Sequence, residues 1–344
     1  MSRGRSLAAE LRDAVRPRAV LLVAGVFVLQ LGFILSYVGA FHSPSPHRIP
    51  VDVVAPPQVS RQLVDRLDNL PGHPVRAHAA PDEATARRRL LRRETDAVYV
   101  VNPRGTTDTL LAASAAGPAV TQVTAELANR IGAGQGRHVR VDDVLPPAPG
   151  DGRGLSSFYL VIGWMVGGYL AAAIIGVAAS ARPANPRRAA IRLGALAVYA
   201  IVSGLGGAVV VGPVLGALPG HFWQVAAIGA LLVFAVAAAT TALQVLLGLV
   251  GIGVAILFFV ILGNPSAGGP YPASLLPPFW AGVGPALPPG AGTTAVRNTV
   301  YFAGHGTAGP LWVLAAYALG GVVVAVIGSA LRRAGRPPRH RVSP

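Results

Sequence analysis

The 193 residues that follow Asp151 contain neither aspartate nor glutamate, and every arginine among them sits between or beyond long apolar segments. A charge at the centre of a spanning helix costs about 3 kcal/mol on insertion scales, so charge-free runs alternating with short basic connections read as several membrane spans. Apart from Glu10 and Asp13, the acids all fall between Asp52 and Asp151, which marks that block as a separate aqueous domain. A composition of 52% hydrophobic residues, 42 Gly and only 12% charge is unlike that of a soluble globular chain.

Some chemistries are excluded at once. Without cysteine the chain has no disulfide framework, thiolate nucleophile or zinc–thiolate site. All 29 basic residues are arginine, which in an Ala-, Gly- and Pro-rich chain reads as a GC-rich coding bias. A Walker A loop requires lysine, so no P-loop ATPase lies on this chain.

About 20 apolar residues cross the hydrocarbon layer. Ala19–Ala40, Leu155–Ala179, Ile191–Gly212 and Leu311–Leu331 each meet that length. The uncharged run Phe222–Gly263 is about twice as long as one span needs. We read it as two spans with a turn near Gln244–Gly251, which predicts six in all.

Arginine orients them, because short cytoplasmic loops collect positive charge whereas long translocated domains are largely exempt. Arg3, Arg5, Arg12, Arg16 and Arg18 precede the first span; Arg182, Arg187, Arg188 and Arg192 lie between the second and third; Arg332, Arg333, Arg336, Arg339 and Arg341 follow the last. Both termini are therefore expected in the cytoplasm of a multi-pass plasma-membrane protein. The net charge of +15 reflects topology and contact with anionic lipid headgroups. No basic face interleaved with aromatics marks a nucleic-acid partner. Val38-Gly39-Ala40 resembles a signal-peptidase site, but the apolar run before it is too long for a typical signal h-region, so the first segment reads as an uncleaved anchor.

The expected organisation is a basic tail (1–18), a first span (19–41), an extracytoplasmic domain (42–156), a five-helix membrane domain (157–331) and a second basic tail (332–344), expected to be disordered. Val51–Val54 and Ala97–Val101 are strand-like; Val59, Leu63, Leu67 and Leu70 keep helical spacing, as do Val120, Val123, Leu127 and Ile131. A further helix runs from Asp82 and Glu83 to Arg92 and Arg93, acids first and bases last, as the helix dipole prefers. The order is βαβαββαβ, a small α+β domain. Its histidines are scattered with no pair at metal-ligand spacing, and no G-x-S-x-G or H-E-x-x-H occurs, so neither enzyme chemistry, a metal nor a cofactor is indicated. Spans without acids also weigh against a proton-coupled antiporter.

The remaining distinctive stretch is 264–310, too long and too apolar for an ordinary outer loop. Pro and Gly break it into short pieces, and Phe279, Trp280, Tyr301 and Phe302 suit a membrane interface. Broken helices at membrane depth occur only when buried in protein or lining a water-filled cavity. We therefore expect a partly re-entrant outer cap, with Asn264, Pro265, Ser266, Gly268, Gly269, Pro277, Pro288, Gly290, Arg297, Tyr301 and Phe302 as candidates for an outer gate or substrate path. Arg297 is the only charge between Arg192 and Arg332, and is expected to be held by helix C-terminal carbonyls, a lipid phosphate or an anionic substrate group, or simply to snorkel to the headgroups.

The layout, together with DEATARRRLLRRETDAVYVV from Asp82, LLGLVGIGVAILFFVILGNPSAGG from Leu246 and LPPGAGTTAVRNTVYFAG from Leu287, resembles the YhgE/Pip-like membrane proteins of high-GC Gram-positive bacteria, related to type-2 ABC exporter permeases. The resemblance implies a six-helix permease fold, a homodimer and export of an amphipathic or lipid-like substrate with energy from a separate ATPase. That ATPase would contact the loop carrying Arg187, Arg188 and Arg192. A different class of reading stays open: a non-transporting envelope scaffold or receptor acting through the outer domain.

Overall fold

In the outer domain, the β-branched runs alternate along their length and helices cover both faces of one sheet, as a computed structural model that describes residues 17–334 shows. The elements there are β1 (Ile49–Val54), α2 (Pro57–Asp68), β2 (Val75–Ala79), α3 (Glu83–Leu91), β3 (Ala97–Val100), β4 (Thr107–Ala112), α4 (Pro118–Ala133) and β5 (His138–Asp143), following α1 (Pro17–Phe41). This is the expected βαβαββαβ order. The five strands lie in the order β2-β1-β3-β4-β5. All neighbours are parallel except β3 and β4, which are antiparallel.

Residues two apart face the same side of a strand. Ile49, Val51, Val53, Ala97 and Tyr99 accordingly meet Leu63 and Leu67 of α2 and Val120 and Ile131 of α4. Val98 and Leu111 face the other side, against Ala86 and Leu90 of α3. Asp82 caps α3, its carboxylate accepting the Thr85 amide at 2.7 Å. Pro118 opens α4 at a position where the missing N–H costs nothing.

The membrane-directed part contains α5 (Ser156–Ala178), α6 (Pro186–Val209), α7 (Phe222–Leu247), α8 (Val250–Ile256), α9 (Pro278–Val283), α10 (Pro288–Tyr301) and α11 (Ala308–Ala334). Among the described residues, five helices are long and apolar enough to cross a membrane: α1, then α5, α6 with its extension to Val214, α7 and α11. The predicted division of Phe222–Gly263 is present, with the break at Gly248, whose φ of 69° is left-handed. Its second half is shorter than a full span. The seven residues of α8 are followed by six of π-helical turn, Leu257–Leu262. A second π turn, Val210–Val214, ends α6 around Pro213, which cannot donate to the helical ladder.

Trp164, Met165, Leu232, Val233, Phe259, Ala295 and Leu314 form the bundle core. Glycines set its closest approaches: a Cβ on Gly204 would collide with the backbone of Ala226 and Ala230, and one on Gly321 with that of Ala238. Small residues at these contacts let the helix backbones approach closely, as in helix pairs that pack in membranes. The tail segments 1–16 and 335–344, with the placement of both termini, lie outside the described residues.

Candidate functional site

The broken outer segment is where the two halves of the molecule join. Asn264–Gly269 forms a tight turn after the π-helical stretch, the Ala267 amide donating to the Asn264 carbonyl at 3.2 Å. The Ser266 hydroxyl caps the preceding helix by donating to the Leu262 carbonyl at 2.7 Å. Pro265 and Gly269 are buried, and Gly269 lies against the Phe158 ring of α5. Tyr271 and Leu275 then leave the bundle and enter the core of the outer domain. There the amides of Ser45 and His47 donate to the carbonyls of Leu275 and Ser274, at 3.2 and 2.8 Å.

Pro288 starts α10, and Gly290 packs against the backbone of Gly284, which itself packs against Ser266. From Pro288 to Thr299 nearly every residue of this helix is buried. Ala291, Ala295 and Val296 join the bundle core, Gly292 meets Val161 and Leu232, and just past the end of the helix Phe302 is in the core of the outer domain beside Leu90 and Val98. The segment folds as a short helix buried among the long apolar helices and capped by the other domain.

Arg297 and Tyr301 sit one turn apart on α10, so they share a face. Arg297 is 5% exposed. Its Nη1 donates to the Gly268 carbonyl at 3.0 Å and its Nη2 to the Gly154 carbonyl at 3.4 Å. Burial excludes snorkelling to headgroups. Backbone carbonyls hold the group, as expected, but they belong to two turn glycines with φ of 63° and 71° rather than to helix C-termini. The Tyr301 hydroxyl donates to the Asp151 carboxylate at 2.7 Å and accepts the Ala148 amide at 3.3 Å. The other Asp151 oxygen accepts the Ser156 amide at 2.9 Å and so anchors the start of α5. Arg93, at the end of α3, lies 4.9 Å over the Phe302 ring.

Four buried polar atoms of this region have no protein hydrogen-bond partner: Arg297 Nε, Asn298 Oδ1, Asn264 Oδ1 and Ser157 Oγ. Such orphans cost about 1–3 kcal/mol each and call for an explanation.

One expectation is corrected. Tyr301 and Phe302 do not face a membrane interface; the Asp151 carboxylate and the apolar face of α3 draw them into the domain junction. Pro277, a candidate for the outer gate, directly precedes α9, where Phe279 is exposed and Trp280 lies beside Gly39 of α1, so Phe279 keeps the exposure expected of it. Sequence reasoning passed over Asp151, Gly154 and Arg93. Asp151 is the last acid of the chain, five residues before a long apolar run, and that position was the available signal.

At the opposite end of the bundle, Asn185 caps α6 by accepting the Arg188 amide at 2.9 Å. Arg187 and Arg188 are exposed. Arg192 is 7% exposed, its Nη2 donating to the Ser180 carbonyl at 2.8 Å, so it clamps the α5–α6 turn and is withheld from any partner. Arg182 and Arg332 both reach the Leu246 carbonyl at the end of α7, at 3.4 and 2.8 Å.

No continuous polar path joins the two ends among the described residues. The Thr240 and Thr241 hydroxyls donate to carbonyls of their own helix, Gln244 donates to the Ala172 carbonyl of α5, and Gln30 is exposed. The larger concavities of the helix bundle are apolar. One of about 620 Å³ runs between α5 and α6 past Tyr159, Trp164 and Val210, and one of about 430 Å³ past Leu246, Phe258 and Tyr317. No family model, no curated protein and no solved structure matches this chain.

Proposed function

We propose that the chain is a six-crossing, permease-type subunit of the plasma membrane, with both termini cytoplasmic, that exports an amphipathic or lipid-like substrate using a separate ATPase. The observation that carries this reading is the pairing, at the outer end of the bundle, of a buried guanidinium in contact with no carboxylate with apolar grooves on the helix surface. An amphipathic molecule needs both a cation for its anionic head and an apolar surface for a tail that stays in lipid; Arg297 Nε is a spare donor but buried, so a head would reach it only when the junction opens. The missing polar channel is consistent with a substrate whose tail never leaves the hydrocarbon. In this reading the short α8 and its π-helical extension complete the sixth crossing, and the exposed Arg187 and Arg188 are left to meet the ATPase or lipid phosphates. A homodimer would cover one of the apolar grooves.

Topology is tested first. In this naturally cysteine-free chain, a cysteine at Thr106 should react with an impermeant reagent on whole cells, and one at Ala184 should not. Transport is tested by purifying the chain in mild detergent, identifying the ATPase that accompanies it, and following ATP-dependent movement of a fluorescent lipid out of the inner leaflet of proteoliposomes. Lipid movement that stops when ATP is withheld supports the proposal, and movement that continues without ATP overturns it.

The envelope scaffold or receptor is favoured instead by one observation, the absence of a polar route through the bundle among the described residues. A stable complex with an envelope protein and no lipid movement would establish it.

A further inference from the structure

The strand order places a second site on the outer domain, independent of any transport. β1 is the central pivot: from it the chain crosses through α2 to β2 on one side, and returns through α3 to β3 on the other. In open parallel sheets ligands bind in the crevice beyond the carboxyl ends of the strands where the order reverses. A cleft of about 500 Å³ opens at this position, between α2, the end of β3 and the turn that leads from α4 into β5. The strand starts face the bundle: His47, just before β1, bonds to Ser274, and Ala113, just past the end of antiparallel β4, packs with Phe302. The cleft therefore opens on the side away from the bundle.

Its walls are rich in donors and poor in free acceptors. The one carboxylate, Asp108, is saturated: its oxygens accept the Tyr99 hydroxyl at 2.8 Å, the Asn102 amide at 2.8 Å, and Arg137 Nε and Nη2 at 2.8 and 2.6 Å. Burial alone would raise this carboxyl, but those bonds, Arg137 first, outweigh it and hold it below the ordinary carboxylate range. The Asn102 carbonyl accepts Arg137 Nη2 at 2.7 Å, and the Asn102 side-chain oxygen accepts the Arg104 amide at 3.0 Å. Arg137 Nη1, the Arg66 guanidinium and the side-chain amides of Gln62 and Gln135 have no partner among the described residues. Gln62 and Arg66 stand on one wall, Gln135 and Arg137 on the other.

We propose that this cleft binds a phosphoryl group of a ligand arriving from the aqueous side. Its several acceptor oxygens match donors converging from opposite walls, Arg66 supplies the uncompensated charge, and Arg137, held rigid by Asp108, presents a fixed Nη1.

The test uses the full chain in phosphatidylcholine nanodiscs, with Thr106→Cys at the distal loop carrying an environment-sensitive fluorophore and inorganic phosphate as the probe at constant ionic strength. A saturable signal is expected. Arg66→Gln, on an exposed helix face, should weaken it about tenfold, the effect of losing one charge-assisted hydrogen bond. Arg76→Gln, on the edge strand β2, should leave it unchanged. No saturation in the unsubstituted chain, equal affinity in Arg66→Gln, or saturation by citrate but not phosphate would each overturn the proposal. So would a signal produced by anionic lipid in the disc without added phosphate, because it would make the ligand a membrane headgroup.

Discussion

Arginines at the two ends of the helix bundle do opposite kinds of work. At the outer end a single one, Arg297, is buried and fixes two turns from different parts of the chain. At the other end all but Arg192 are partly or fully exposed among the described residues, and Arg182 and Arg332 cap the carbonyl of Leu246. The residue type is constant; burial and the alternatives open to the partner carbonyls differ. Carbonyls at the basic end can turn to water if an arginine leaves. Gly154 is buried and Gly268 half-buried, so their carbonyls have less recourse to water, and the same side chain is more structural at one end than at the other.

The largest effect should come from Arg297→Gln, which strands both carbonyls and removes a buried hydrogen-bonding fork. We expect a loss of about 3–5 kcal/mol, read as a fall in the detergent melting temperature, with Arg297→Lys recovering about half because a single ammonium cannot span both carbonyls. Full recovery by lysine would break the comparison, since it would reduce Arg297 to a point charge.

Next is Asp151→Asn. It weakens the acceptor for Tyr301 and the anchor for the start of α5 together, for about 2 kcal/mol. Tyr301→Phe should cost about 1 kcal/mol and add little on top of Asp151→Asn, a non-additivity that a double-mutant cycle would detect.

Arg192→Gln, at the basic end but buried, should fall between the extremes at about 1 kcal/mol, sharpening the comparison by showing that burial and not location decides. Arg187→Gln with Arg188→Gln should change the melting temperature least, within about 0.5 kcal/mol. A loss of co-purifying ATPase in that same variant would assign these exposed arginines to a partner, and unchanged recovery would leave them to lipid.

Much of this contrast was legible in the chain, unevenly. In the outer domain the three helices and two of the five strands could be placed by residue, because Val59, Leu63 and Leu67, Asp82 with its downstream arginines, and Pro118 are local signals acting within one turn of themselves. The long apolar runs marked the long apolar helices for the same reason. The length of α8 was not legible, since Phe222–Gly263 is uniformly apolar and a left-handed Gly248 in so glycine-rich a chain carries no distinguishing mark. Arg297 stood out as a lone charge, but its partners could not be named. Gly154 and Gly268 lie far from it in sequence and contribute carbonyls, which every residue has. The aromatic pair misled for a related reason: Tyr301 and Phe302 look interfacial by residue type, and only the folded chain brings Asp151 and α3 against them. The distal cleft depends on strand order, which no local pattern encodes.

The central claim is that α10, pinned by Arg297, makes the outer domain and the helix bundle move as one body. The most direct measurement is the distance distribution between spin labels on Ala133→Cys, in the outer domain, and Leu319→Cys, on α11, by pulsed electron resonance in nanodiscs. A single narrow distribution that broadens in Arg297→Gln, and broadens less in Arg297→Lys, is the predicted result. A distribution already broad in the unsubstituted chain, or one equally narrow in Arg297→Gln, would contradict the account.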